Sequence, residues 1–132
     1  MALPLLLGAS GGAPIEIAVT DIRSDKGLVR VSVCPQANFM KDCPWTGSAP
    51  AKKGAVAVTV RGVPPGRYAV QVFHDEDGDG KLGTNFIGIP REGIGFSNDA
   101  MPRLMRPRFD RAAFDHGGDA QRVPVKVRYF LG

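Results

Sequence analysis

Residues 64–98 read PPGRYAVQVFHDEDGDGKLGTNFIGIPREGIGFSN, and this stretch decides the fold. From Arg67 to Asp75 the apolar residues Tyr68, Val70 and Val72 fall on one face at period two, which is the pattern of a β-strand. Pro64 and Pro65 cannot donate to a strand ladder and Gly66 admits a turn, so the strand begins just after them. At its far end it delivers His74 and Asp75 into an acidic glycine loop that carries Asp77 and Asp79. A strand framed by such turns belongs to a sheet, and one apolar face needs a second layer to cover it.

Outward from this strand, the same period recurs four times. Ile15, Ile17 and Val19 alternate along Ile15 to Ile22, and Val29, Val31 and Val33 along Leu28 to Cys34, so these two strands are expected to form a hairpin. Val56, Val58 and Val60 mark a third strand. Val123, Val125, Val127 and Tyr129 close the chain as a last strand, where Pro124 on the outward set argues for an edge. Pro44 to Gly54 reads as a loop from which Trp45 folds back onto the core. Thr84 to Ile89 offers a short strand. Pro90 to Pro107 holds too many glycines and prolines for a regular element, and Phe96 is its expected plug. Phe109 to Phe114 suits one helical turn or a short strand.

The class that follows is all-β, a single antiparallel β-sandwich of about seven strands spanning residues 14–132. A chain of 132 residues buries roughly two-thirds of its unfolded surface and suits one domain. The 17 glycines and 11 prolines fit many turns and exclude long helices. Met1 to Ala13 carries a short apolar run and small residues, the back half of a secretory signal or an N-terminal tail. No stretch approaches the ~18 apolar residues of a membrane span, so no transmembrane segment is expected. Cys34 and Cys43 are the only cysteines, and in an exported protein they form a disulfide. The expected location is therefore outside the cytoplasm, periplasmic or secreted.

The net charge of +4 is too small and too mixed with acids to mark a nucleic-acid surface. No aromatic residues interleave with Arg91, Arg103, Arg106, Arg108 and Arg111 as stacking platforms require.

Asp75, Asp77, Asp79 and Gly80 match the first half of an EF-hand-type calcium loop, with the Lys81 carbonyl at its seventh position. The second half departs from that pattern, since Phe86 stands where the loop needs a bidentate Glu. Calcium takes six to eight oxygens, and Thr84, Asn85, Glu92 and Asn98 are the candidates to complete them. A weakly bound Ca2+ is thus the candidate cofactor, set against an acidic turn that serves solubility alone. His74, Asn85, Arg91, Phe96 and Ser97 make a candidate small-ligand or carbohydrate site around it. A hydrolase that uses Ser97 with His74 or His116 is the alternative, but GFSND is not the G-x-S-x-G elbow and no third orienting group is evident. No catalytic residue is assigned.

The segment HDEDGDGKLGTNFIGIPREGIGFSN resembles the bacterial family known as domain of unknown function 2141. The residues that carry the resemblance are Gly66, Tyr68 and Ala69, then His74, Asp75, Asp77, Asp79 and Gly80, Gly88 to Pro90, and Glu92 to Asn98 without Ile94. The resemblance implies an exported β-sandwich of immunoglobulin-like or transthyretin-like kind with no established activity. A cell-envelope protein or a glycan is the class of partner that such a module would meet. Gly83 departs from the family pattern, which often places an acidic residue there.

Overall fold

The structure is a computed structural model that describes residues 13–78, 92–100 and 108–130. Eight strands lie among the described residues: β1 (Ile15–Ile22), β2 (Leu28–Cys34), β3 (Trp45–Pro50), β4 (Gly54–Val60), β5 (Gly66–Asp75), β6 (Gly93–Phe96), β7 (Phe114–His116) and β8 (Gln121–Lys126). They form two sheets, one ordered β4-β1-β8 and the other β3-β2-β5-β6 with β7 also on β5. The β-sandwich expected from the alternating pattern is what the chain forms. Its pairs are antiparallel except β1 with β8, which run parallel.

The core lies between the sheets. Ile15, Ile17 and Val19 of β1 meet Val29, Val31 and Val33 of β2, and Val58, Val60, Val70, Val123 and Val125 complete the cluster. Each fully buried Val or Ile side chain contributes about 1.5–3 kcal/mol of transfer free energy, and β-branched residues suit the pleated surface. Trp45 packs against this core, its ring edge-on to Tyr68 with centroids 5.5 Å apart. The Tyr68 hydroxyl donates to the Pro64 carbonyl at 2.7 Å, which fixes the turn into β5.

Three sequence expectations are corrected. β1 and β2 do not make a hairpin: β1 pairs with β4 and β8, while β2 pairs with β3 and β5. Both strands have one apolar face, and placing them in opposite sheets lets those faces bury each other. Residues 44–54 are not simply a loop, because Trp45–Pro50 adds to β2 as an edge strand. Its inward positions are Trp45, Gly47 and Ala49, and small side chains there leave no apolar alternation to read.

The third correction concerns Gly93–Phe96, which is a wholly buried strand inside the supposed irregular segment. Its glycines are space, not slack. A Cβ at Gly93 would collide with the Tyr129 ring and a Val127 methyl, and one at Gly95 with the Lys126 carbonyl. Ile94 and Arg128 exchange backbone hydrogen bonds of 2.9 and 2.7 Å, so β6 ties the edges of the two sheets together. Close approach of two backbones is what glycine permits within a strand.

On its outer face the larger sheet carries a second apolar cluster of Ala69, Ile94, Phe96, Ala100, Phe109 and Ala112. The short helix α1 (Phe109–Ala112) and the loop closed by the Cys34–Cys43 disulfide cover it. Phe39 of that loop stands edge-on to Phe96 and Phe109, with centroids at 5.8 and 5.7 Å. Gln71 holds the loop down, accepting from the Met40 N–H at 2.9 Å and donating to the Lys41 carbonyl at 3.1 Å. Closing so short a loop stabilises the fold by about 2–3 kcal/mol in the chain-entropy account. Among the described residues no helix is long and apolar enough to cross a membrane. The expected Thr84 to Ile89 strand lies outside the described residues.

Candidate functional site

Strand β5 ends by sending consecutive side chains to opposite faces. His74 points between the sheets and is fully buried. Its Nε2 lies 2.7 Å from the Lys26 carbonyl, which can only accept, so Nε2 carries a proton. Its Nδ1 lies 2.8 Å from the Tyr129 hydroxyl, which already accepts the Arg23 N–H at 3.0 Å and keeps its own hydrogen to give. Both ring nitrogens are thus used to pin the turn at residues 23–27 and the C-terminal segment to the end of β5.

Asp75 turns the other way and is also fully buried, with Oδ2 accepting from Arg30 Nε at 2.7 Å. Beyond the strand, Glu92 stands just before β6 at 8 % exposure. Its Oε2 accepts the Glu76 N–H at 2.8 Å, while its Oε1 is buried with no hydrogen-bond partner among the described residues. Asp77 is exposed above them. One carboxylate oxygen from each of Asp75, Asp77 and Glu92 lies within 4.8 Å of the others, a spacing that a single cation can span. Burial pushes the Glu92 carboxyl above its ordinary range, and the Asp77 charge adds to this against opposing backbone N–H groups of Asp77 and Glu76.

Asp77 and Glu92 of the cluster form one wall of an open cleft of about 580 Å3 that Arg23, Ser24, Lys26 and Glu76 also line. Arg23 grips Glu76 with Nη2–Oε1 at 2.6 Å and Nε–Oε2 at 3.1 Å, and its guanidinium lies 4.5 Å from the Tyr129 ring centroid. Ser24 Oγ donates to Glu76 Oε2 at 2.8 Å. The Arg23 hydrogen bonds hold the Glu76 carboxyl down to about 2, against its burial.

Of the residues read from the sequence, the structure brings Asp75, Asp77 and Glu92 together and disperses several others. Asn98 sits in the left-handed region at φ 60°, and its amide donates to the Arg111 and Ala113 carbonyls at 3.2 and 3.0 Å, so it serves the cover over the outer face. Phe96 is buried in the outer cluster. Ser97 is fully buried, donates to the Ala112 carbonyl at 2.5 Å and accepts the Val70 N–H at 2.9 Å. His116 bridges Gln121 Oε1 at 2.8 Å and the Val63 carbonyl at 3.2 Å. Neither histidine meets Ser97, so the described residues assemble no nucleophile and base. Asp79, Lys81, Thr84, Asn85 and Arg91 lie outside the described residues.

Arg30, Arg23, Lys26 and Glu76 escaped the sequence reading, and Tyr129 entered it only as a residue of the last strand. Arg30 lies between the inward Val29 and Val31, and its meeting with Asp75 depends on the β2–β5 register that sets Leu28 opposite Asp75.

The profile of the family described as "Uncharacterized protein conserved in bacteria (DUF2141)" matches residues 17–124. The chain belongs to this family. The match runs from β1 into β8, so a DUF2141 domain includes both sheets, and the acidic cluster is formed within its bounds. No curated protein and no solved structure matches the chain.

The two carboxylates of the site with shifted affinity give opposite pH limbs. The Glu76 affinity falls from 4.5 to about 2 in the folded chain, so its stabilisation is complete above 4.5 and is lost as pH drops toward 2. After allowance for screening at Arg23, whose side chain is 34 % exposed, this limb is worth about 1–2 kcal/mol. The Glu92 affinity is raised, so its contribution runs the other way, and stability falls as pH rises from 4.5 through its folded value. Chelator-treated protein should therefore show a rise and then a decline in melting temperature from these groups. Glu76→Gln should shrink the acid limb, to which Asp99 held down by Arg128 also contributes, and Glu92→Gln should flatten the upper one. A decline above pH 5 that survives in Glu92→Gln would contradict this assignment.

Proposed function

We propose that the protein is an exported β-sandwich binding module whose Asp75, Asp77 and Glu92 carboxylates hold one Ca2+. The observation that carries this reading is Glu92 Oε1, a buried carboxylate oxygen without a hydrogen-bond partner among the described residues and beside Asp77. Burying such an atom costs about 1–3 kcal/mol or more unless something compensates it. A hard divalent cation compensates it and offsets the mutual repulsion of the three acids. Calcium fits better than magnesium, because it accepts irregular sets of six to eight oxygens and releases water readily. Export is supported by the Cys34–Cys43 disulfide, a bond that persists in oxidising compartments. In this reading the sandwich is the frame, and the cleft beside the cation is the contact surface.

The test is calorimetry and thermal melting of chelator-treated protein. Calcium should bind in the ~10⁻⁴–10⁻³ M range of extracellular modules. At about 100 times its dissociation constant it should add roughly 2.7 kcal/mol. Magnesium should do less. Glu92→Gln should abolish most of the calcium response while retaining the sheet signal in circular dichroism. An unmoved melting curve and absent heat at 10-fold above that range (~10⁻² M) would defeat the calcium assignment.

A further inference from the structure

We propose that the tip formed by the turns at residues 23–27 and 51–53 is a contact surface for anionic lipid headgroups, carried by Lys26, Lys52 and Lys53. The inference stands apart from the calcium reading. Its first ground is register. β2 and β3 pair with Leu28 opposite Pro50, and the two turns prolong that register past the strands. The Gly27 carbonyl accepts the Ala51 N–H at 3.0 Å, and Asp25 Oδ1 accepts the Lys53 N–H at 2.7 Å. Lys26 therefore falls opposite Lys52. Like charges set across a ladder repel each other. The Lys26 main chain is fixed in this place, its N–H by Ser24 Oγ at 3.3 Å and its carbonyl by His74 Nε2 at 2.7 Å.

The second ground is what answers these charges. All three lysines are exposed, and among the described residues none of them forms an ion pair. Arg23, Arg30, Arg108, Arg122, Lys126 and Arg128, by contrast, each meet a carboxylate. The acid within the tip is Asp25, whose Oδ1 is turned onto the Lys53 backbone. Glu76, Asp77 and Glu92 border the cleft that Lys26 also lines, and Lys52 and Lys53 are not part of its lining. An extended anionic surface answers several ammonium groups at once and relieves the repulsion between Lys26 and Lys52. Lysine acts on phosphate as a point charge, without the paired geometry that arginine supplies, so the patch suits an array of headgroups rather than one shaped anion. Two adjoining turns at the end of a sandwich project rather than enclose, which fits a flat surface.

Co-sedimentation of the full chain with vesicles tests this, using phosphatidylglycerol and phosphatidylcholine in equal parts against phosphatidylcholine alone. The protein should sediment with the anionic vesicles only, in chelator as well as in calcium, and less as salt is raised. Lys26→Ala, Lys52→Ala and Lys53→Ala should each weaken binding about fivefold, and the triple variant about a hundredfold. Arg61→Ala is the control for net charge, since Arg61 is an exposed cation just past the opposite end of β4, and it should leave binding unchanged. An equal loss in Arg61→Ala, or binding that survives in the triple variant, overturns the inference. Binding that requires calcium also overturns it, because the contact then belongs to the cation. Alginate is the competing probe, and binding to it without binding to vesicles would assign the lysines to an anionic glycan and defeat the lipid surface.

Discussion

Gly27→Ala is expected to cost about 3–5 kcal/mol and to weaken calcium binding, although the residue is exposed and touches no ligand. Gly27 has φ +70°, where a side chain adds about 1–2 kcal/mol of backbone strain. The larger part is steric. A Cβ there would overlap the Asp75 carbonyl oxygen and come within 2.8 Å of the Glu76 backbone. Backbone meets backbone, so no rotamer relieves the clash. Either the turn or the end of β5 must move. The turn is tied by the Gly27 carbonyl to the Ala51 N–H at 3.0 Å and by the Lys26 carbonyl to His74, while the strand end carries Asp75. Gly62→Ala is the control, because Gly62 has φ +80° with nothing within 4 Å of the added carbon. It should cost only the strain. Urea unfolding of the two variants checks this, and equal midpoints would refute the steric account.

What the sequence made legible follows from burial on one side. Wherever a strand hides a single face, as in Val29, Val31 and Val33, period-two alternation marks both the element and its inward residues. The same pattern is silent about partners, which is why β1 and β2 read as a hairpin although they stand in opposite sheets. β6 was hidden for a different reason. Its Gly93 and Gly95 read as loop residues because their purpose, room for Tyr129, Val127 and Lys126, lies some thirty residues along the chain.

The candidate site shows the same division. Asp75 and Asp77 stand two apart in an acidic loop and are visible locally, and Glu92 entered through its place in the G-I-P-x-E-G segment. The Arg30 partner of Asp75 and the lysine facing the cleft come from β2 and the turn before it, and their place depends on pairing across the sheet. Asn98 and Ser97 misled because polar residues beside an acidic loop suggest ligands. The structure spends both on holding α1 and the segment after it against the sheet.

Ser97→Ala is expected to destabilise the protein by about 2–4 kcal/mol. The hydroxyl is an internal clasp. It gives its proton to the Ala112 carbonyl and takes the Val70 N–H, joining α1 to the middle of β5 through a residue with no solvent exposure. Removal leaves a buried donor and a buried acceptor unpaired, each costing about 1–3 kcal/mol. The vacated space is smaller than a water molecule's share of liquid volume, ~30 Å3, so solvent does not readily replace the bonds. The outer cover should loosen first, since Phe109 and Ala112 rest on this contact, while the inter-sheet core of valines remains. Hydrogen exchange should accordingly rise at Val70 and across α1 before it rises in β1. Calcium binding should persist, because none of the three carboxylates contacts Ser97. A hydrolase that used Ser97 as nucleophile would behave in the opposite way, with ester turnover abolished and the unfolding midpoint unchanged. That pairing of results would overturn the structural role given to Ser97.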